Sequence, residues 1–214
     1  MEKEKRREAK ELIKDFLAHV VVNDGNFFIV DWYSPKTSNL SARFILDIQN
    51  GTLIITGDSG DCIANWYHKM TPVDLKMSTK DARYFIEKVK CSTHLYTYDK
   101  EDVLEDIEKF KTNIEECWED GTPEELAEQL GRKYNGETTI REIIDDEFED
   151  VDNYFNNYYH DSIGEPSYHE SVFDTITKFE PDYFCDGARF GCRISSRIYL
   201  WLEGYQMICD QLRI

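Results

Sequence analysis

The feature that most constrains the fold is an Asn-Gly pair between two apolar, β-branched segments. The segments SARFILDIQ and TLIITG flank Asn50-Gly51. Asn-Gly strongly favours a two-residue hairpin turn, because both residues accept positive φ angles. The pattern therefore predicts a hairpin in which Gln49 faces Thr52. Its buried face should carry five apolar side chains: Phe44, Leu46, Ile48, Leu53 and Ile55.

The rest of the chain changes from mixed to helical periodicity. Apolar residues recur at helical spacing over residues 2–20, which predicts an N-terminal amphipathic helix. The aromatic and β-branched segment at 27–33 predicts a strand. Further helix starts are predicted from capping residues. They are Ser78, Asp99, Thr122, Thr139 and Ser167. The expected fold class is α+β: an N-terminal helix, a small antiparallel sheet of about three strands, and a mainly helical C-terminal part.

The acidic residues are concentrated in one part of the chain. The 214 residues carry a formal net charge of −18, and residues 99–186 hold 28 Asp/Glu against 7 Lys/Arg. This change predicts two parts: residues 1–98, with the sheet, and residues 99–214, acidic and helical, which end in a helix at about 195–212. No Gly/Ser/Pro linker separates them, so we expect the two parts to pack as one unit.

The cysteines and the N-terminal segment indicate the cellular compartment of the protein. The chain has six cysteines without a Cys-x-x-Cys pair, and it begins with charged residues rather than with a signal peptide. No apolar stretch approaches the roughly 20 residues that span a bilayer. These features predict reduced cysteines, a cytoplasmic location and no membrane partner.

A short string, Gly57-Asp58-Ser59-Gly60, resembles the segment around the nucleophile of trypsin-like serine proteases. A serine nucleophile needs a histidine base and a group that orients the base. Only His19 precedes the string, and Asp61 stands where the protease pattern has a second glycine. We therefore interpret the string as a turn at a strand end.

The same turn supports an alternative function, a site for a small ligand or for an enzymatic reaction. The candidate residues are Asp58, Ser59, Asp61, Trp66 and Tyr67, with Arg189 or Arg193 as further candidates. Two groups could supply metal ligands, Asp58 with Asp61 and the segment around His160 and His169. Their spacings match no ligand motif, and the chain has no Gly-rich phosphate loop, so no metal and no cofactor is predicted.

The acidic runs are the most unusual feature of the chain. They comprise Glu115, Glu116, Glu119 and Asp120 at the end of one predicted helix, and Asp145, Asp146, Glu147, Glu149, Asp150 and Asp152 in another. Carboxylates on successive helical turns place a negative charge about every 5–6 Å, a spacing on the scale of nucleic-acid phosphates. Nearby aromatic residues, including Tyr158 and Tyr159, could anchor a partner. The runs indicate either a surface that occupies a cationic nucleic-acid channel of a partner or a solvated face above an aromatic core.

Four strings together resemble a known group of proteins. They are FILDIQNGTLIITGDSGDCIANWY (44–67), YFIEKVKCS (84–92), LYTYD (95–99) and RIYLWLEGYQMICDQL (197–212). They resemble small acidic proteins, without an assigned function, that phages and prophages encode. The resemblance carries no catalytic residues.

What the resemblance implies is a phage accessory protein, a class that includes inhibitors of host defence such as anti-CRISPR proteins. The expected function is a non-catalytic inhibitor in the cytoplasm of the bacterial host. Its expected partner is a basic host protein or nucleoprotein complex, for example a CRISPR effector nuclease, with no direct binding of nucleic acid.

Overall fold

The computed structural model describes residues 2–36, 41–92, 94–157, 170–181, 183 and 189–214. In chain order its elements are α1 (Glu2–Ile13), β1 (Leu17–Asn23), β2 (Phe27–Tyr33), β3 (Ser41–Asp47), β4 (Thr52–Gly57), β5 (Cys62–Asn65), α2 (Pro72–Ser78), α3 (Ala82–Lys88), β6 (Val89–Ser92), β7 (Tyr96–Tyr98), α4 (Lys100–Cys117), α5 (Pro123–Gln129), α6 (Ile140–Asn157), α7 (Glu170–Phe179), β8 (Cys192–Ile194) and α8 (Ser196–Leu212). None of these helices combines the length and the apolar content needed to cross a membrane.

The chain forms two compact units, and the fold class is α+β. Unit 1 comprises Met1–Leu95 and Ile194–Ile214, and unit 2 comprises Tyr96–Arg193. The start of unit 2 lies close to the boundary predicted at residue 98. The C-terminal helix α8, which we assigned to the second part, belongs to unit 1, because its apolar residues are buried together with the sheet.

The sheet of unit 1 is larger than predicted. It has six antiparallel strands in the order β1 to β6, so it is a meander rather than a three-stranded sheet. Two helices, α2 and α3, lie between β5 and β6. Helices are therefore not confined to the C-terminal part of the chain.

The N-terminal helix is confirmed, but it ends at Ile13 instead of continuing to residue 20. Residues 17–23 form β1, an edge strand that pairs with β2. Three consecutive valines, Val20 to Val22, explain the difference because β-branched side chains favour extended backbone. Helix α3 begins later than predicted, since its N-cap is Asp81 rather than Ser78.

The hairpin at Asn50-Gly51 is present in a shifted register. Thr52 pairs with Asp47 instead of Gln49, so the connection has four residues rather than two. The Asp47 carboxylate accepts a hydrogen bond from the Asn50 amide at 3.0 Å, which stabilises the longer turn. Because side chains alternate with a period of two, a shift of two residues leaves the predicted buried face unchanged. Phe44, Leu46, Ile48, Leu53 and Ile55 are all buried.

Helix α8 packs closely on this buried face. The Trp32 ring lies against Phe16 with centroids 4.5 Å apart and against Phe44 at 6.0 Å. A Cβ atom at Gly204 would lie 2.9 Å from the Trp32 ring, so a glycine is required for this approach. The core of unit 1 is thus an aromatic layer between the sheet and α8.

Unit 2 is built mainly from α4 to α7 around an apolar cluster. Phe110, Phe148 and Phe190 belong to this cluster, and the rings of Phe110 and Phe148 are 6.0 Å apart. The N-caps predicted at Asp99, Thr122 and Thr139 are confirmed by their side-chain hydrogen bonds. The cap predicted at Ser167 lies outside the described residues.

Candidate acidic binding surface

The two acidic runs lie at the C-terminal end of α4, with Glu119 and Asp120 in the turn that follows it, and on α6; the two helices run antiparallel. Near one end of the pair, Lys100 Nζ donates to the Asn156 carbonyl at 2.7 Å. Near the other end, Arg141 Nη1 lies 3.6 Å from the Glu115 carboxylate. The C-terminal end of α4 therefore lies beside the N-terminal end of α6, which brings the two runs into one region of unit 2.

A buried lysine joins the two helices. Lys111 on α4 is only 4% exposed, and its Nζ lies 2.6 Å from Asp152 and 3.3 Å from Asp145 on α6. The same ammonium lies 5.3 Å from the centroid of the Phe148 ring. Asp145 and Asp152 are thus used inside unit 2, where they compensate a charge that would otherwise be buried alone.

An arginine organises a second group of carboxylates. Arg141 contacts Asp145 at 3.0 Å, Glu108 at 2.5 Å and Glu115 at 3.6 Å. The hydrogen bond to Asp145, followed by that to Glu108, raises the pKa of Arg141. Burial alone would raise the pKa of Asp145, but hydrogen bonds from Arg141 and Lys111 hold it below its usual value. Arg141 and Asp145 therefore remain ionised near neutral pH.

Further cations neutralise the other flank of α6. Arg132 lies 3.1 Å from Asp146 and 3.3 Å from Glu147, and Lys178 lies 2.7 Å from Glu147. Five carboxylates of the predicted binding set are therefore ion-paired within the unit, two of them with a buried lysine. They are Glu115, Asp145, Asp146, Glu147 and Asp152.

The other five carboxylates of the set are exposed, and no ion pair is found for them among the described residues. They are Glu116, Glu119, Asp120, Glu149 and Asp150. We call these five residues the open acidic surface. Glu116 lies in the last turn of α4, Glu119 and Asp120 lie in the turn that follows it, and Glu149 and Asp150 lie on the solvent side of α6. Ion pairs and a common core hold the two helices in place.

The aromatic residues near α6 differ in their exposure. Phe155 is fully buried and Tyr154 packs against the apolar cluster of unit 2, so both belong to the core. Tyr158 and Tyr159, which we predicted as partner anchors, lie outside the described residues.

Sequence reasoning missed the division between paired and open carboxylates. The Arg141–Asp145 contact has an i,i+4 spacing and could have been read from the sequence. The contacts of Lys111 and Arg132 join different segments, so only the packing of the helices reveals them.

The turn that resembles a protease site has a structural role. Ser59 is 4% exposed, and its hydroxyl accepts a hydrogen bond from Trp201 Nε1 at 3.1 Å. The Asp58 carboxylate accepts hydrogen bonds from the Ser41 amide at 3.0 Å and from the Ser41 hydroxyl at 2.9 Å. Ser59 and Asp58 therefore attach the turn to α8 and β3.

The remaining candidates for a ligand site differ in their contacts and exposure. The Asp61 carboxylate accepts a hydrogen bond from the Thr56 hydroxyl at 2.7 Å. Trp66 is buried against Phe85, whereas Tyr67 is 76% exposed and its ring lies 4.9 Å from Lys90 Nζ. The structure thus places Trp66 in the core and Tyr67 on the surface.

The two arginines considered with this turn belong to unit 2. Arg193 contacts Asp106 at 2.6 Å and Asp102 at 3.2 Å. Burial raises the pKa of Asp106, but hydrogen bonds from Arg193 and the Gly191 amide outweigh burial and hold it below its usual value. Arg193 is thus engaged in an ion pair that stabilises unit 2.

No group of three or more His, Cys, Asp or Glu side chains within the described ranges is arranged to hold a metal ion. His160 and His169 lie outside those ranges. Comparisons of the chain with protein-family models, with curated proteins and with solved structures give no match.

Proposed function

We propose that the chain is a phage-encoded, non-catalytic inhibitor of a host defence complex. In this proposal the open acidic surface binds a basic protein surface that normally grips nucleic acid, as on a CRISPR effector nuclease. The partner is a protein or nucleoprotein complex rather than free nucleic acid, since phosphates and carboxylates repel each other.

The observation that carries the proposal is the distribution of cations in unit 2. Unit 2 holds 28 Asp/Glu and 9 Lys/Arg. Of these nine, Lys109, Lys111, Arg132, Arg141, Lys178 and Arg193 already contact carboxylates of the same unit. We therefore expect cations of a binding partner to neutralise the carboxylates of the open acidic surface.

The mechanism that fits this arrangement is electrostatic occlusion. The open carboxylates lie on, or directly after, two helices that are held together, so little backbone freedom remains to be lost on binding. Lysine and arginine side chains of the partner would then contact carboxylates instead of phosphates. Such contacts accelerate association and weaken as salt screens them.

A pair of matched variants tests the proposal. Glu149→Gln with Asp150→Asn removes two charges from the open acidic surface and leaves the internal ion pairs intact. Glu8→Gln with Glu87→Gln removes two exposed charges from unit 1, where neither side chain has an ion pair among the described residues. Asp145 and Asp146 are unsuitable targets, because their substitution would also disturb Lys111 and Arg132.

Each protein is immobilised and exposed to a lysate of a phage host at about 0.05 M and about 0.5 M salt. We expect the wild type and the unit 1 variant to retain a nucleic-acid-handling complex at low salt only. Duplex DNA should displace this complex, and the variant with Glu149→Gln and Asp150→Asn should retain less of it. Equal retention by both variants, or a complex that DNA does not displace, contradicts the proposal.

A further inference from the structure

One face of the sheet in unit 1 carries apolar side chains that belong to neither buried cluster. Five β-branched residues are cross-strand neighbours from β1 to β5 and therefore lie on one face. We call them the isoleucine row: Val22, Ile29, Ile45, Ile54 and Ile63. The helices of unit 1 bury their apolar residues with the opposite face, which includes Phe28, Phe44 and Leu53.

The isoleucine row is accessible to solvent. Ile63 is 40% exposed, and the other four residues are partly exposed. With strands about 4.8 Å apart, a row across five strands is roughly 19 Å long. A contiguous apolar patch on a protein surface is often functional, whereas singly scattered apolar residues need no explanation.

Opposite charges flank the row along β3. Arg43 lies two residues before Ile45 and forms an ion pair with Asp31, with Nε 2.6 Å from Oδ1. Asp47 lies two residues after Ile45, on the other side of the row. A second copy can be placed face to face on this sheet by a rotation of 180° about an axis parallel to the row. In that arrangement, Arg43 of each copy lies opposite the Asp47 carboxylate of the other. The same operation places Asp31 opposite Phe27, so it brings no like charges together along β2 and β3.

We propose that the isoleucine row is a self-association interface, on which a second copy of the chain packs face to face. Two sheets can pack in this way at about 10 Å, with their side chains interdigitated. Unit 1 is close to neutral, with 16 Lys/Arg and 15 Asp/Glu, whereas two copies of the acidic unit 2 repel each other. The neutral sheet face is therefore the surface that a second copy can approach.

The size of the face determines the strength of this association. The row and the residues that flank it together cover about 19 Å by about 15 Å, which is less than the roughly 800 Å² that each partner buries in a standard interface. We therefore expect a reversible equilibrium between monomer and dimer. Added salt screens the two Arg43–Asp47 contacts, but it also screens the repulsion between two copies that each carry −18. The repulsion is the larger effect, so added salt strengthens the dimer. Binding of a partner through the open acidic surface weakens with salt, whereas the dimer becomes stronger. The two proposals therefore predict opposite salt dependences and can be tested separately.

Sedimentation velocity of the full chain from about 5 to about 500 µM, in about 0.05 M and 0.5 M salt, tests this proposal. The wild type should shift from monomer towards dimer as its concentration rises, and more so at high salt. Ile45→Thr with Ile54→Thr keeps β-branched side chains and should weaken the dimer at least about tenfold. Ile63→Thr, near the end of the row, should have a smaller effect.

The matched control is Leu12→Thr with Val73→Thr, which changes two exposed apolar residues on helices α1 and α2. It should dimerise as the wild type does, and circular dichroism should show that all variants are folded. A wild type that stays monomeric at the highest concentration overturns the proposal. A dimer that the row substitutions leave unchanged overturns it as well.

Discussion

Unit 1 and unit 2 are of comparable length, but they differ in how they use charge. Unit 1 holds 16 Lys/Arg against 15 Asp/Glu, whereas unit 2 holds 9 against 28. The core of unit 1 is an aromatic and aliphatic layer between a sheet and helix α8. In unit 2, helices with a smaller apolar cluster are also joined by ion pairs, one of which involves the buried Lys111.

The difference shows how one chain can keep a stable scaffold and a strongly charged surface. Excess negative charge destabilises a compact state through self-repulsion. In unit 2 the internal cations reduce this repulsion where helices meet, and the uncompensated carboxylates lie on the solvent side. Our functional proposal depends on unit 2, and the proposed self-association depends on unit 1.

The largest expected effect separates the two cores. Phe148→Ala should destabilise unit 2, and Phe44→Ala should destabilise unit 1, each by about 3–5 kcal/mol, because each removes a buried ring. Urea unfolding monitored by tryptophan fluorescence measures both effects. Trp118 reports on unit 2, whereas Trp32, Trp66 and Trp201 report on unit 1. If both substitutions shift all four signals equally, stability belongs to the whole chain and the comparison of the units fails.

The next effect tests the buried cation of unit 2. Lys111→Met should lower the free energy of unfolding by about 2 kcal/mol, since Asp152 would lose its cation and Asp145 would keep only Arg141. The partial exposure of these carboxylates keeps the loss below that of a fully buried pair. Lys109→Met is the control, because Lys109 is 58% exposed and its pair with Glu105 contributes little. Equal losses of unfolding free energy in the two variants would show that the burial of Lys111 does not explain its effect.

A smaller effect depends on pH. The pKa of Asp106 is lower in the folded chain than in the unfolded chain. Its contribution is therefore complete above the unfolded value of about 3.9 and is lost as pH falls through the folded value. Asp106→Asn should destabilise unit 2 by about 1.5 kcal/mol at pH 7. Urea unfolding should show this difference shrink as pH falls below about 3.9. A difference that is the same at low pH as at pH 7 would assign the effect to packing.

The smallest effect concerns the turn in unit 1. Ser59→Ala removes the acceptor for the Trp201 indole and should lower stability by about 1 kcal/mol. Binding of a partner at the open acidic surface should not change. Thermal unfolding and the lysate capture measure the two quantities, and lost capture in a folded Ser59→Ala protein would return this turn to the functional candidates.

Local signals made part of the fold predictable. The N-caps at Asp99, Thr122 and Thr139 act within one helical turn, so the sequence around them was sufficient. Strand β1 was misread as helix, because its apolar residues continue the helical spacing of α1. The four-residue strands β5 and β6 carry little periodic signal, and only pairing with their neighbours defines them.

The candidate site was predictable only as a set of acidic residues. The sequence shows where carboxylates are dense, but their pairing depends on which helices meet. Lys111 and Asp152 are 41 residues apart, and neither residue type indicates that the other is its partner. Ser59 was correctly interpreted as part of a turn, whereas its bond to Trp201 spans 142 residues and required the fold.

The central claim is that the uncompensated charge of unit 2 acts at the open acidic surface rather than over the whole chain. Isothermal titration with a nona-arginine peptide measures this directly, because the affinity of a polycationic peptide follows the negative charge of the surface that it contacts. We predict that Glu149→Gln with Asp150→Asn weakens binding about fivefold, whereas Glu8→Gln with Glu87→Gln, with the same change in net charge, changes it less than about 1.5-fold. Equal weakening by the two variants would contradict the account.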